Sequence, residues 1–129
     1  MKPKLIYWLP PIAWMILLFV LSSLSFGSHT PGIPNEDKIF HAGLFGMLSI
    51  LLFFALSYER GLPMMKAALL AALITAAYGA FDEFHQSFTP GRMPEIYDWL
   101  ADVAGGALAF LACLRGSPVP KLPRSDEQA

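Results

Sequence analysis

Acidic, imidazole and basic side chains stand out in this chain because almost everything around them is apolar. They are Asp37, Lys38, His41, Asp82, Glu83, Arg92, Asp98 and Asp102, with Tyr78 and Gln86 at helical spacing beside them. A histidine and a carboxylate can exchange a proton with a substrate, so His41, Asp82 and Glu83 are the catalytic candidates. The same polar set can instead bind a headgroup, with Asp37, Lys38, His41, Tyr78, Glu83, Gln86, Arg92, Asp98 and Asp102 as binding candidates. His41, Glu83, Asp98 and Asp102 also offer mixed nitrogen and oxygen ligands. No H-E-x-x-H and no tight ligand spacing accompanies them, so ordinary hydrogen-bonded partners are the expectation and no metal or cofactor is assigned. No nucleophile stands out, since Ser87 and Thr89 read as ordinary loop residues.

Spacing says which of these groups share a helix face. Asp37 and His41 are four apart, as are Tyr78 and Asp82, and Gly79, Glu83 and Gln86 form a neighbouring row. Asp98, Asp102, Gly105, Gly106 and Ala109 make one stripe, acidic above and small below. Asp82 and Glu83 are adjacent and point about 100° apart on a helix. Glu83 is therefore expected to enter a pocket, with Asp82 paired to Arg92 or to an interhelical neighbour. His85, flanked by aromatics, is expected to face headgroups or solvent, and His29 carries no signal of its own.

These residues must be positioned by membrane helices. Of 129 residues, 55% are hydrophobic and only 15% charged, and mean hydropathy is +0.50. That balance argues against a soluble domain of this size. A bilayer core of about 30 Å takes about 20 apolar helical residues. The sequence offers four such stretches, at about 5–26, 39–56, 64–84 and 97–114. The expected fold is all-α, a polytopic bundle of four transmembrane helices over residues 1–115, followed by a flexible cytoplasmic tail over 116–129. Pro10 and Pro11 either kink the first span or mark where its helix proper begins. The start is too long in apolar residues, and "SLSFGS" too poor a cleavage site, for a removed signal peptide. The last two spans reach full length only if their terminal turns include carboxylates, which sets Asp82, Asp98 and Asp102 at one membrane face.

The basic residues orient the bundle. Lys2, Lys4, Arg60, Lys66, Arg115, Lys121 and Arg124 fall on one side, against Lys38 and Arg92 on the other. The excess marks the cytoplasmic side, so both termini are expected there. The acidic residues collect on the outer side, where topology alone does not require them. Small residues in "AGGALA" and "AALLAALITAAYGA" predict close packing of the third and fourth helices at the bundle centre. Trp8, Trp14 and Trp99 read as interface or packing residues rather than ligand stackers.

Net charge is −1, so no nucleic-acid partner is expected. A single cysteine, Cys113 in an apolar run, excludes a disulfide framework within one chain and reads as a packing residue. A charge near the bilayer centre costs about 2.5–3.5 kcal/mol, less toward the interface. The clustered charges therefore serve either as structural ion pairs, with Lys38 and Arg92 neutralising carboxylates, or as a functional pocket.

"DKIFH", then "YGAFDEFHQSFTPGR", then "DWLADVAGG" resemble the VanZ-like membrane proteins. That pattern is D-K-x-x-H opening one span, Y-x-x-x-D-E-x-x-Q closing the next, an Arg, and D-x-x-x-N-x-x-G opening the last. It falls here on Asp37, Lys38 and His41; on Tyr78, Asp82, Glu83 and Gln86; on Arg92; and on Asp98 and Gly105. The resemblance runs from about Asp37 to Leu114, and departs where Asp102 stands in place of the frequent Asn. It implies a small bacterial inner-membrane protein of the cell envelope, with low-level resistance to the glycopeptide teicoplanin as the association of the family's name member. Membrane lipids, a cell-envelope precursor or a lipoglycopeptide are the partners it implies. Three functions compete: a binding protein with an outward pocket, an intramembrane enzyme on a lipid-linked substrate, and an ion-coupled transporter. The transporter is weakest, because no polar chain crosses the midplane.

Overall fold

A computed structural model describes residues 5–24 and 36–116 of the chain. A short 3₁₀ turn, Leu5–Trp8, leads into α1 (Leu9–Ser23), followed by α2 (Glu36–Arg60), α3 (Met64–Gln86) and α4 (Ile96–Gly116). Among the described residues there is no strand, and four helical segments are long and apolar enough to cross a membrane. The chain is thus an all-α, multi-pass membrane protein. The expected loop containing His29, Lys2 and Lys4, and the tail beyond Gly116 lie outside the described residues.

α2, α3 and α4 run past their apolar stretches, while α1 ends at Ser23, short of the expected 26. α2 begins at Glu36 rather than at 39, and α3 extends to Gln86 rather than stopping at 84. Hydropathy locates the part of a helix that sits in hydrocarbon, whereas backbone hydrogen bonding continues through polar flanking turns. Pro10 and Pro11 fall in the first turn of α1, after the 3₁₀ turn, so the helix proper begins at the prolines. There their missing N–H groups cost no helical hydrogen bond.

The two connections within 36–116 are tight. Gly61 takes a φ of 62°, a left-handed conformation that ends α2 without strain. Gly91 takes 80° after Pro90, and the Arg92 N–H donates to the Thr89 carbonyl at 3.1 Å, the expected Pro-Gly turn.

α2 is the central helix. Its Phe45, Leu48, Leu52, Phe53 and Leu56 bury against Leu18 of α1 and Ala67, Ala68 and Ala71 of α3. The tightest approach is between α2 and α4, where a methyl group on Gly105 would collide with the Ala42 carbonyl and one on Gly46 would lie 3.2 Å from the Gly105 oxygen. The expected closeness of the third and fourth helices is real but second to this. At Gly79 a Cβ would meet side chains of Asp102 and Trp99, and at Gly106 the Thr75 side chain at 3.5 Å and the Ala72 carbonyl at 3.7 Å, a looser approach. The three indoles are packing groups: Trp8 donates to Glu59, Trp14 to the Leu44 carbonyl and Trp99 to the Ala76 carbonyl, each between helical segments.

The outer surface is apolar, with Ile16, Phe19, Leu69, Leu73, Leu108 and Leu111 exposed while Asp82, Glu83, Asp98 and Asp102 are buried. That inversion of a soluble protein's distribution is what a lipid solvent selects.

Candidate polar site between the helix ends

The end of α3 and the starts of α2 and α4 bring their polar turns to one level of the bundle. The close approach at Ala42, Gly46 and Gly105 sets that geometry, because only small residues let α2 and α4 draw near enough for His41 to reach α4. The His41 Nδ1–H donates to Asp102 Oδ1 at 2.8 Å, and His41 Nε2 lies 3.9 Å from Asp98 Oδ2. Asp98 and Asp102 are one helical turn apart, so they straddle the imidazole. The predicted acidic-over-small stripe of α4 is its buried face: Asp98, Asp102, Gly105, Gly106 and Ala109. Room for Asp102 comes from Gly79, where a Cβ would lie 2.9 Å from Asp102 Oδ2.

An outer layer is built on Lys38. Its Nζ reaches Asp37 at 3.1 Å, Asp98 at 3.3 Å and Glu95 at 3.5 Å. One ammonium thus bridges three carboxylates near the mouth, and ties the start of α2 to the start of α4. Glu95 is a member that the sequence reading passed over. Its place three residues before Asp98, on the same turn, is the signal that could have found it.

The inner layer is His41, Glu83 and Asp102, which each offer one ligand atom with all three atoms within 4.8 Å of one another. Glu83 is held by the loop: the Glu95 backbone N–H donates to Glu83 Oε2 at 2.9 Å. Glu83 Oε1 and Asp102 Oδ2 are buried with no hydrogen-bond partner among the described residues. Glu83 is 8% exposed and Asp102 fully buried.

On the other flank, a cavity of about 450 Å³ opens between α1, α2 and α3. Leu18, Leu21, Phe40, Leu44 and Phe45 give it apolar walls, and Asp37, His41, Asp82, Gln86 and Arg92 give it a polar rim. A smaller hollow of about 250 Å³ lies beside Glu83, Pro94 and Trp99.

Several expected pairings differ. Asp82 does not pair with Arg92: Gln86 Nε2 donates to Asp82 Oδ2 at 3.1 Å on its own helix, and Arg92 Nη2 donates to the Leu24 carbonyl at 2.9 Å. The Pro-Gly turn sends Arg92 toward the end of α1 rather than across α3. Gln86 consequently belongs with Asp82 on the cavity side, not with Glu83. Both carboxylates are buried, on opposite flanks of α3, so Asp82 lines the larger cavity while Glu83 faces the His41–Asp102 pair. Tyr78 leaves the site: its hydroxyl donates to the Met15 carbonyl at 2.6 Å, and its ring packs between Phe45 and Phe81. It anchors α1. His85 also reaches α1, from a half-exposed position, with Nε2 2.8 Å from Ser23 Oγ and its ring stacked on Phe19 at 4.2 Å. The α1 wall of the cavity gave no sequence signal, because its residues are ordinary lipid-span leucines.

Comparison with known proteins places this geometry in context. A family profile described as VanZ/LLP1 matches residues 7–116. A Schizosaccharomyces pombe protein that carries the name "Uncharacterized protein C11E3.10" is 28% identical over 99 residues, 76% of this chain and 58% of the yeast protein. The chain thus spans little more than half the length of that relative. No solved structure matches the chain.

Proposed function

The chain belongs to the VanZ/LLP1 family, and from that footing we propose that it is an envelope membrane protein whose outward pocket binds an amphiphile by its polar headgroup. The observation that carries this reading is the cavity of about 450 Å³, with leucine and phenylalanine walls and a rim of Asp37, His41, Asp82, Gln86 and Arg92. Small-molecule pockets typically measure about 300–1,000 Å³ and pair apolar walls with a few placed polar groups. Such a lining suits a molecule with an acyl chain and a hydrogen-bonding head. A lipid headgroup, a lipid-linked cell-wall precursor or a lipoglycopeptide such as teicoplanin meets that description. The seven-to-two bias of basic residues supports a bacterial inner-membrane orientation with both termini cytoplasmic and the pocket facing outward.

A second reading is favoured by one contact. The part-buried His41–Asp102 hydrogen bond at 2.8 Å fixes the tautomer of an imidazole whose Nε2 stays available, the arrangement of a general base. An intramembrane enzyme would use it, with Asp82 or Glu83, on a lipid-linked envelope substrate.

The two readings separate in nanodiscs. Fluorescent lipid-linked precursor and teicoplanin are titrated against the wild type and against Leu44→Trp, which fills the cavity. Saturable binding that the tryptophan abolishes, with the probe recovered intact, supports a binding protein. Release of a modified probe supports the enzyme. Equal binding by both proteins removes the cavity from either account.

A further inference from the structure

We propose that His41, Glu83 and Asp102 form a divalent-cation site enclosed between α2, α3 and α4. The inference does not depend on the amphiphile reading, because of these three residues only His41 lines the larger cavity.

The first support is the donor set. One imidazole and two carboxylates converge from three helices, with ligand atoms all within 4.8 Å. Metal–ligand bonds of about 2.0–2.2 Å bring donors to roughly 3–4 Å of each other, so small side-chain rotations complete the set. The second support is independent of the clustering. Glu83 Oε1 and Asp102 Oδ2 are buried without a hydrogen-bond donor. Each residue has its other oxygen satisfied, by the Glu95 N–H and by His41 respectively, so both side chains are held in place with one oxygen left over. A buried carboxylate oxygen lacking any donor is costly, and a cation is what such an oxygen coordinates.

The third support is the contrast with the outer layer. Asp37, Glu95 and Asp98 present the same donor spacing, and there the Lys38 ammonium occupies the centre. No lysine or arginine among the described residues has an ion pair with Glu83 or Asp102. The chain supplies the outer trio with its cation and leaves the inner trio's to be bound.

Mixed imidazole and carboxylate ligands suit Zn²⁺ or Mn²⁺ rather than soft ions. From sequence, His41, Glu83 and Asp102 stand with Asp98 as possible ligands, and no metal is assigned because neither H-E-x-x-H nor tight spacing accompanies them. The three come from α2, α3 and α4, so their convergence leaves no spacing along the chain.

The test uses the full chain, purified in detergent with a cleavable tag lacking histidine, stripped with EDTA and titrated with Zn²⁺ or Mn²⁺ alone. About one equivalent should bind, and affinity should fall by about 10- to 100-fold or more in Glu83→Gln and His41→Asn. Glu59→Gln, which removes a carboxylate at the opposite end of the bundle, should bind like the wild type. Should the variants fail to fold, Mn²⁺ bound to the wild type is read by pulsed electron paramagnetic resonance, where coupling to an imidazole nitrogen is expected. The proposal is overturned if the wild type binds no cation above the level of folded Glu83→Gln, or if bound Mn²⁺ shows no nitrogen coupling. In either event the orphan oxygens are protons' sites, and the inner layer is a hydrogen-bonded carboxylic acid cluster.

Discussion

At His41 three separate constraints meet: the small-residue approach at Gly105, the hydrogen bond to Asp102 and the nearby Asp98 carboxylate. Removing the acceptor without filling its space should show what that bond is worth. Asp102→Ala leaves a buried imidazole N–H unpaired, a loss of about 1–3 kcal/mol. Asp102→Asn retains an acceptor oxygen and should lose less. Thermal unfolding in detergent ranks the two, and equal losses would mean that the 2.8 Å contact carries no stability. Asp82 sits in a different situation, because its partner Gln86 is on the same helix and both line the larger cavity. Asp82→Asn should therefore weaken amphiphile binding while leaving the unfolding temperature nearly unchanged. A folded Asp82→Asn protein with wild-type affinity would remove Asp82 from the binding site. The sequence named most of these residues correctly and several of their partners wrongly. Type and spacing say which face of its own helix a side chain occupies, but Arg92 was assigned a partner by charge, and Gln86 was placed beside Glu83 by spacing alone. Their real partners depend on where a turn points.

Helix packing is decided by a few glycines, and they make unequal demands. Gly105 faces the Ala42 carbonyl, so Gly105→Ala must push α2 and α4 apart, at about 1–3 kcal/mol for overpacking and more if the backbone cannot yield. Gly43 meets nothing within 4 Å, so Gly43→Ala should be neutral or stabilising by up to about 1 kcal/mol through helix propensity. Circular dichroism melts of the two variants provide the comparison. If Gly105→Ala melts with or above Gly43→Ala, the α2–α4 approach is not what fixes the site. α1 is fastened differently, by Tyr78 to Met15, by His85 to Ser23 and by Trp14 to Leu44. Those polar ties hold α1 against the bundle, where it forms one wall of the larger cavity. The four spans themselves were legible from hydropathy, since each needs only length and apolarity. Their polar end turns were not, because a helix continues where the apolar run stops.

For the molecule as a whole, the polar layers lie at the end of the bundle that holds the start of α2, the end of α3 and the start of α4. On the proposed topology, drawn from the seven-to-two bias of basic residues, that end faces outward. A single cysteine reporter in a Cys113→Ser background tests this. Pro90→Cys should react with a membrane-impermeant maleimide in intact cells, and Arg60→Cys only after permeabilisation. The opposite pattern would turn the pocket toward the cytoplasm and exclude extracellular glycopeptides as ligands.

The sequence by itself determined the all-α membrane class, the four spans, the family and the acidic stripe of α4. The class, the spans and the stripe follow from composition or from periodicity within one helix, and the family from the resemblance of three linked motifs. Tertiary structure alone decided that α2 is the centre, that α4 lies closest to it, and that Lys38 fills an outer trio while His41, Glu83 and Asp102 form an inner one. The physical reason is that the separation of two helices depends on which small residues meet across the interface. A hydrogen bond or a ligand set spanning three helices exists only once those separations are set.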